Sequence, residues 1–152
     1  MAWSKERRMP YNGLYAMRLI IRTDGGSRGN PGPSGIGVVI ENTETGEVLE
    51  EHAKFLGRMT NNQAEYLAAI LGLERAVALG AKEVEVLADS ELLVKQANGD
   101  YRVKNLDLQQ RFRELKRLER QLGRVRYRHV RRELNTAADA LANRAMNERA
   151  DS

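Results

Sequence analysis

Cysteine is absent from the sequence, which excludes disulfides, thiolate metal sites and cysteine nucleophiles. Aromatic residues are scarce, at 5%, and Trp3 and the five tyrosines form no ladder on which successive bases could stack. No apolar run approaches the roughly 18 residues that a membrane span needs. The charged start MAWSKERRMP is not followed by the apolar stretch of a secretory signal. A cytoplasmic protein without a membrane partner is therefore the default expectation. What is present is a chain of 152 residues, 41% apolar and 30% charged, a composition that suits one folded domain.

Charge is modest in total, at +4, but uneven. Between Arg111 and Arg132 ten lysines and arginines stand against Glu114 and Glu119, a local +8 that leaves the rest of the chain at −4. A basic block beside an acidic remainder fits a polyanion partner, and it equally fits a solvated helix laced with pairs such as Glu114 with Arg117.

Residues 1–16 carry no sustained period and read as an extension. Met17–Thr23 is β-branched and apolar and reads as a strand that runs into the loop DGGSRGNPGPSG. Strands are expected at Gly35–Glu41 and Glu47–Leu56, then a helix over Thr60–Gly80 with capping-box spacing between Thr60 and Gln63. A strand at Glu83–Leu87, helices at Ser90–Asn98 and Asn105–Leu122, a strand at Arg124–Val130 and a helix at Asn135–Asn147 complete the order βββ-α-β-α-α-β-α. The domain would span 17–147, with a tail at 148–152. Short loops join the first three strands into an antiparallel meander, whereas the last two need parallel neighbours. An α/β fold is predicted: a five-stranded mixed sheet, three strands antiparallel and two parallel, with helices on both faces and the first strand central.

Four acids stand out in that frame. Asp24 is expected directly after the first strand and Asp89 directly after the fourth, on strands about 4.8 Å apart if they are parallel neighbours. Glu65 lies in the opening turns of one helix and Asp139 in the first turn of the last. Each has an ordinary alternative: a turn residue at Asp24, a helix cap at Asp89, a favourable charge on the helix dipole at Asp139, a surface residue at Glu65. Against these stands the setting of Glu65, whose helix carries Ala68, Ala69 and Gly72, a small face that suits close approach to a sheet. Four acids at one spot would repel and raise one another's pKa values unless a cation is present, and oxygen ligands alone suit Mg²⁺ or Mn²⁺. His52, in mid-strand, reads as structural.

DGGSRGNPGPSGIG, TNNQAEYLA, ADSELLV and NTAADALANRA, in this order, resemble the four motif blocks of type 1 ribonucleases H, each bringing one acid. The resemblance covers roughly Met17 to Ala145. It implies the ribonuclease H-like fold and cleavage of the RNA strand of RNA–DNA hybrids to 5′-phosphate and 3′-hydroxyl ends. Asp24, Glu65, Asp89 and Asp139 would hold two Mg²⁺ ions, with Mn²⁺ able to substitute. Asn30, Asn61 and Asn62 match positions that read the minor groove and ribose 2′-OH groups, and Thr60 a contact to a DNA phosphate. A short form without the basic handle helix, acting as a monomer, is implied, and cleavage of double-stranded RNA is left open.

Two departures matter. The loop histidine of many members has no counterpart in RHVRRELNTAAD, where His129 ends the strand; Arg131, Arg132 or Glu133 would stand in, and Arg132 is the residue chosen. Glu91 occupies a substrate-contact position that is glutamine in many members. Hybrid binding is assigned to Arg111–Arg128 and, less directly, to the N-terminal arginines. A rival reading, a binder that kept the fold without catalysis, gains nothing from clustered negative charge near phosphates. Another nuclease of the same fold is the third reading, and the TNN block with Asn30 favours ribose recognition over it.

Overall fold

The computed structural model describes residues 17–150; the expected extension at 1–16, with its arginines, and residues 151–152 lie outside the described residues. The elements are β1 (Arg18–Ser27), β2 (Gly32–Asn42), β3 (Val48–Met59), α1 (Asn61–Ala78), β4 (Glu83–Ala88), α2 (Glu91–Ala97), α3 (Leu106–Gln121), β5 (Arg124–His129), a 3-10 turn (Arg132–Leu134) and α4 (Thr136–Ala150). They form one five-stranded sheet in the order β3-β2-β1-β4-β5. β1–β2 and β2–β3 are antiparallel, while β1–β4 and β4–β5 are parallel. The predicted α/β architecture and the central place of β1 hold. Among the described residues no helix is long and apolar enough to cross a membrane.

Alternation along β1 sorts the two faces. Leu19 and Ile21 point into the larger core beneath α1, α2 and α3, with Tyr66, Leu73, Val86, Leu93 and Leu115. Ile21 has no exposed surface, and its burial contributes about 2 kcal/mol. On the opposite face α4 lies across β1, β2 and β3, burying Ala138, Leu141, Ala142, Ala145 and Met146. The helix face carrying Ala68, Ala69 and Gly72 does pack closely: a Cβ on Gly72 would fall 2.6 Å from Ile21 Cγ2.

Several boundaries differ from the sequence reading. β1 does not stop at Thr23 but continues through Asp24, Gly25, Gly26 and Ser27, and β2 already begins at Gly32, so only residues 28–31 form the loop. Glycine content suggested a turn; Gly25 and Gly35 serve close packing inside the ladder instead. β3 reaches Met59 because its pairing with β2 absorbs irregularities at Ser34/Gly35 and Ile40/Glu41. α4 runs to Ala150, three residues past Asn147.

Candidate active site

Two contacts that only glycine allows set the site. A Cβ on Gly25 would lie 2.5 Å from the Ala64 carbonyl carbon, so the start of α1 presses on β1 from one face. From the other, a Cβ on Gly37 would lie 2.1 Å from the Ala138 carbonyl oxygen, so the start of α4 presses on β2. Gly37 pairs with Asp24 across the ladder. Each helix therefore brings its acid, Glu65 or Asp139, to the central strand.

Asp24 lies within β1 and is 6% exposed. Asp89 directly follows β4, whose last rung with β1 is Thr23–Ala88. Carboxylate oxygens of Asp24, Glu65 and Asp89 lie within 4.8 Å of one another. Glu65 is held by the Gly25 N–H, which donates to Oε1 at 3.1 Å. Asp139, in the first turn of α4, falls outside this tight trio but stands near enough for its charge to act on Asp24. All four acids singled out in the sequence are thus brought together.

Burial comes first, and then the charge of Asp89 and the contact with Asp139, in pushing the Asp24 carboxyl up to about 8. Burial likewise pushes Glu65 well above the usual carboxylate range, with Asp24 and Asp89 adding to it and the Gly25 N–H and Arg132 opposing. Repulsion of this kind is what a hard cation relieves, and every donor is an oxygen. The residues present therefore fit one or more divalent ions of the Mg²⁺ class.

The remaining positions stand around this centre. Arg132, in the 3-10 turn, is 79% exposed in its side chain and brings a guanidinium nitrogen to 4.0 Å from Asp139. His129 ends β5, as read from the sequence, opposite Ala88. Asn30 and Asn61 are locked together: the Asn61 N–H donates to Asn30 Oδ1 at 3.1 Å, and the Ser27 N–H to Asn61 Oδ1 at 2.8 Å. Both amide oxygens are thereby engaged and the NH₂ groups remain to donate. Asn62 is exposed on the first turn of α1. Thr60 caps α1: its hydroxyl accepts from the Gln63 N–H at 3.1 Å and its backbone N–H donates to Gln63 Oε1 at 3.0 Å, completing the expected capping box, while the hydroxyl also donates to that oxygen at 3.3 Å. Glu91 opens α2 as a surface residue, 4.0 Å from Lys95.

The basic block is divided by the sheet. Tyr127 points to α3, where its hydroxyl donates to Glu119 Oε2 at 2.5 Å, so the alternating Arg124, Arg126 and Arg128 face the other side. Arg117 pairs with Glu114 at 2.6 Å, Lys116 with Glu119 at 3.1 Å and Arg128 with Glu85 at 3.3 Å. Among the described residues Arg113, Arg120, Arg124, Arg126 and Arg131 have no acidic partner within 4.0 Å. The helix pairs expected from the sequence, Glu114 with Arg117 among them, are thus present.

Sequence reasoning passed over Asn135, buried just before α4, whose Nδ2 donates to the Thr23 carbonyl at 2.8 Å. Its only signal was an asparagine four residues ahead of Asp139.

Comparison with known proteins agrees with this arrangement. A family model described as reverse transcriptase-like matches residues 22–145. The bifunctional protein Rv2228c of Mycobacterium tuberculosis is 47% identical over 136 residues, covering 90% of this chain but 37% of that protein, so the chain spans well under half of this relative. The solved N-terminal RNase H domain of that protein superposes with a TM-score of 0.86 at 46% identity, over 90% of this chain and 98% of that one. LC11-RNase H1, isolated from compost and solved in complex with an RNA/DNA hybrid, gives a TM-score of 0.81 at 42% identity, over 86% and 97%.

Proposed function

The chain belongs to the type 1 ribonuclease H family, among the reverse transcriptase-like domains, and on that footing we propose that it hydrolyses the RNA strand of RNA–DNA hybrids. The observation that carries this reading is the meeting of Asp24, Glu65, Asp89 and Asp139 from β1, α1, the end of β4 and α4, around a carboxyl pushed up to about 8.

These four acids would hold two Mg²⁺ ions, or Mn²⁺ in their place. When bound, such a pair activates the attacking water and stabilises the leaving 3′ oxygen. The chain's own part is to hold the acids at fixed separation and to seat the substrate. Asn30 and Asn61, tied to each other and to Ser27, together with the exposed Asn62, would donate from their amide NH₂ groups to ribose 2′-oxygens and minor-groove acceptors. Thr60 would offer a DNA phosphate its hydroxyl only by turning the proton away from Gln63. Arg132 stands where a cation would assist at the rim of Asp139, and Glu91 would touch substrate from the start of α2. Arg113 and Arg120 of α3 supply phosphate contacts on one side of the sheet, Arg124 and Arg126 on the other.

The test is incubation with a labelled RNA–DNA hybrid, the matching DNA duplex and double-stranded RNA, across a Mg²⁺ and Mn²⁺ series. Cleavage of the hybrid to 5′-phosphate and 3′-hydroxyl ends, with the DNA duplex intact, is expected. Equal cleavage of the DNA duplex would overturn the substrate, and full activity of Asp24→Asn would overturn the site.

A further inference from the structure

Among the described residues one buried side-chain polar atom has no hydrogen-bond partner, Oδ1 of Asn135. The residue is wholly buried, immediately before α4. Its Nδ2 donates to the carbonyl of Thr23 at 2.8 Å. Thr23 precedes Asp24 and forms the last rung between β1 and β4. The backbone carbonyl of Asn135 accepts from the N–H of Asp139 at 3.1 Å. One residue thus ties the backbone beside one acid of the site to the backbone of another.

The orphaned oxygen makes this more than a helix cap. A buried acceptor without a donor costs stability, and an apolar side chain of similar size would avoid that cost. What only the amide supplies is the donor that grips Thr23. The Gly37–Ala138 contact sets how near α4 comes to the sheet; the Asn135–Thr23 hydrogen bond sets where along β1 the helix starts. We propose that Asn135 is the positioning residue that fixes the Asp139 carboxyl against Asp24, touching neither substrate nor metal. This rests on the four-acid reading above.

Asn135→Ala and Tyr66→Phe are compared. The latter removes another buried hydrogen bond, from the Tyr66 hydroxyl to Gln96 Oε1 at 2.7 Å, which ties α1 to α2 and engages no backbone beside Asp24 or Asp139. Measured are kcat and KM on an RNA–DNA hybrid and the rise in Tm on adding Mn²⁺. Asn135→Ala is expected to lower kcat roughly ten- to hundredfold with KM within about twofold, as loss of an outer support of a metal site does. Its Mn²⁺-induced rise in Tm should shrink, while Tyr66→Phe loses Tm with kcat and the Mn²⁺ response unchanged. A kcat for Asn135→Ala within about twofold of the parent, or equal losses in both variants, would overturn the proposal. Should Asn135→Ala not fold, Asn135→Ser carries the same comparison. If the parent chain cuts no hybrid, the functional reading fails instead, and the Mn²⁺ response alone still decides the role of Asn135.

Discussion

Asp24 and Gly37 are partners across the β1–β2 ladder, and the missing side chain of Gly37 is what lets α4 settle beside that carboxylate. Gly37→Ala would drive a methyl to 2.1 Å from the Ala138 carbonyl. We expect overpacking to cost about 1–3 kcal/mol, with loss of hybrid cleavage as Asp139 is lifted. Gly26→Ala, whose methyl would meet only Met146 Cε at 4.0 Å, should stay within about 0.5 kcal/mol. Thermal melts of the two variants check the contrast, and equal destabilisation would show that the close approach is not the cause.

The raised Asp24 and Glu65 carboxyls make metal-free stability depend on pH in a defined sense. Folded Asp24 keeps its proton up to about 8, whereas the unfolded residue releases it near 3.8. The folded state binds more protons between these limits, so stability is greatest at the acid end and declines as pH rises towards 8. Added Mg²⁺ or Mn²⁺ should flatten the decline. Asp24→Asn should remove part of it, raise Tm above pH 8 without metal, and abolish turnover. Melting curves from pH 5 to 9, with and without metal, read this directly; a Tm that climbs with pH in the absence of metal would refute it.

Glu50 works in the opposite sense. Arg75, which donates at 2.7 and 2.8 Å, and His52 hold its carboxyl down at about 2. Its contribution is present above the ordinary glutamate range and is lost as pH falls through about 2. Glu50→Gln should lower Tm at pH 7 by a small amount, since the pair is partly exposed, and by still less near pH 2. Double-mutant melts with Arg75→Gln would reveal the coupling, and its absence at pH 7 would count against the pair.

Arg132 is the exposed cation nearest Asp139. An exposed pair of this kind is worth under about 1 kcal/mol, so Arg132→Ala should cost roughly two- to fivefold in kcat. Tm should barely move. A hundredfold loss would give the arginine a larger part in the chemistry than its 4.0 Å distance supports.

Much of this architecture was legible because its signals are local. The Thr60–Gln63 box, the glycine ending α1, the alternation in β5 and the basic amphipathic α3 each follow from a few consecutive residues. The acids were legible through their blocks and, for Asp89, Glu65 and Asp139, through their places at a strand end and at helix starts. Less legible was anything set by packing from the far side. Gly25 and Gly26 have turn composition, yet both pair with β2 across the ladder, with the start of α1 pressed on Gly25. Asn135 is an ordinary cap in sequence, since its partner Thr23 lies 112 residues away. The division of the arginines between two faces depended on which side Tyr127 took.

Because β1 is hydrogen-bonded on both edges up to Thr23, and to β2 through Ser27, its acid cannot be withdrawn by a loop swinging open. Local fluctuation is left to pieces such as the Arg132–Leu134 turn, while the central strand opens only with the whole molecule. Heat inactivation and global melting should therefore share one temperature, with no dormant, still-folded species between them.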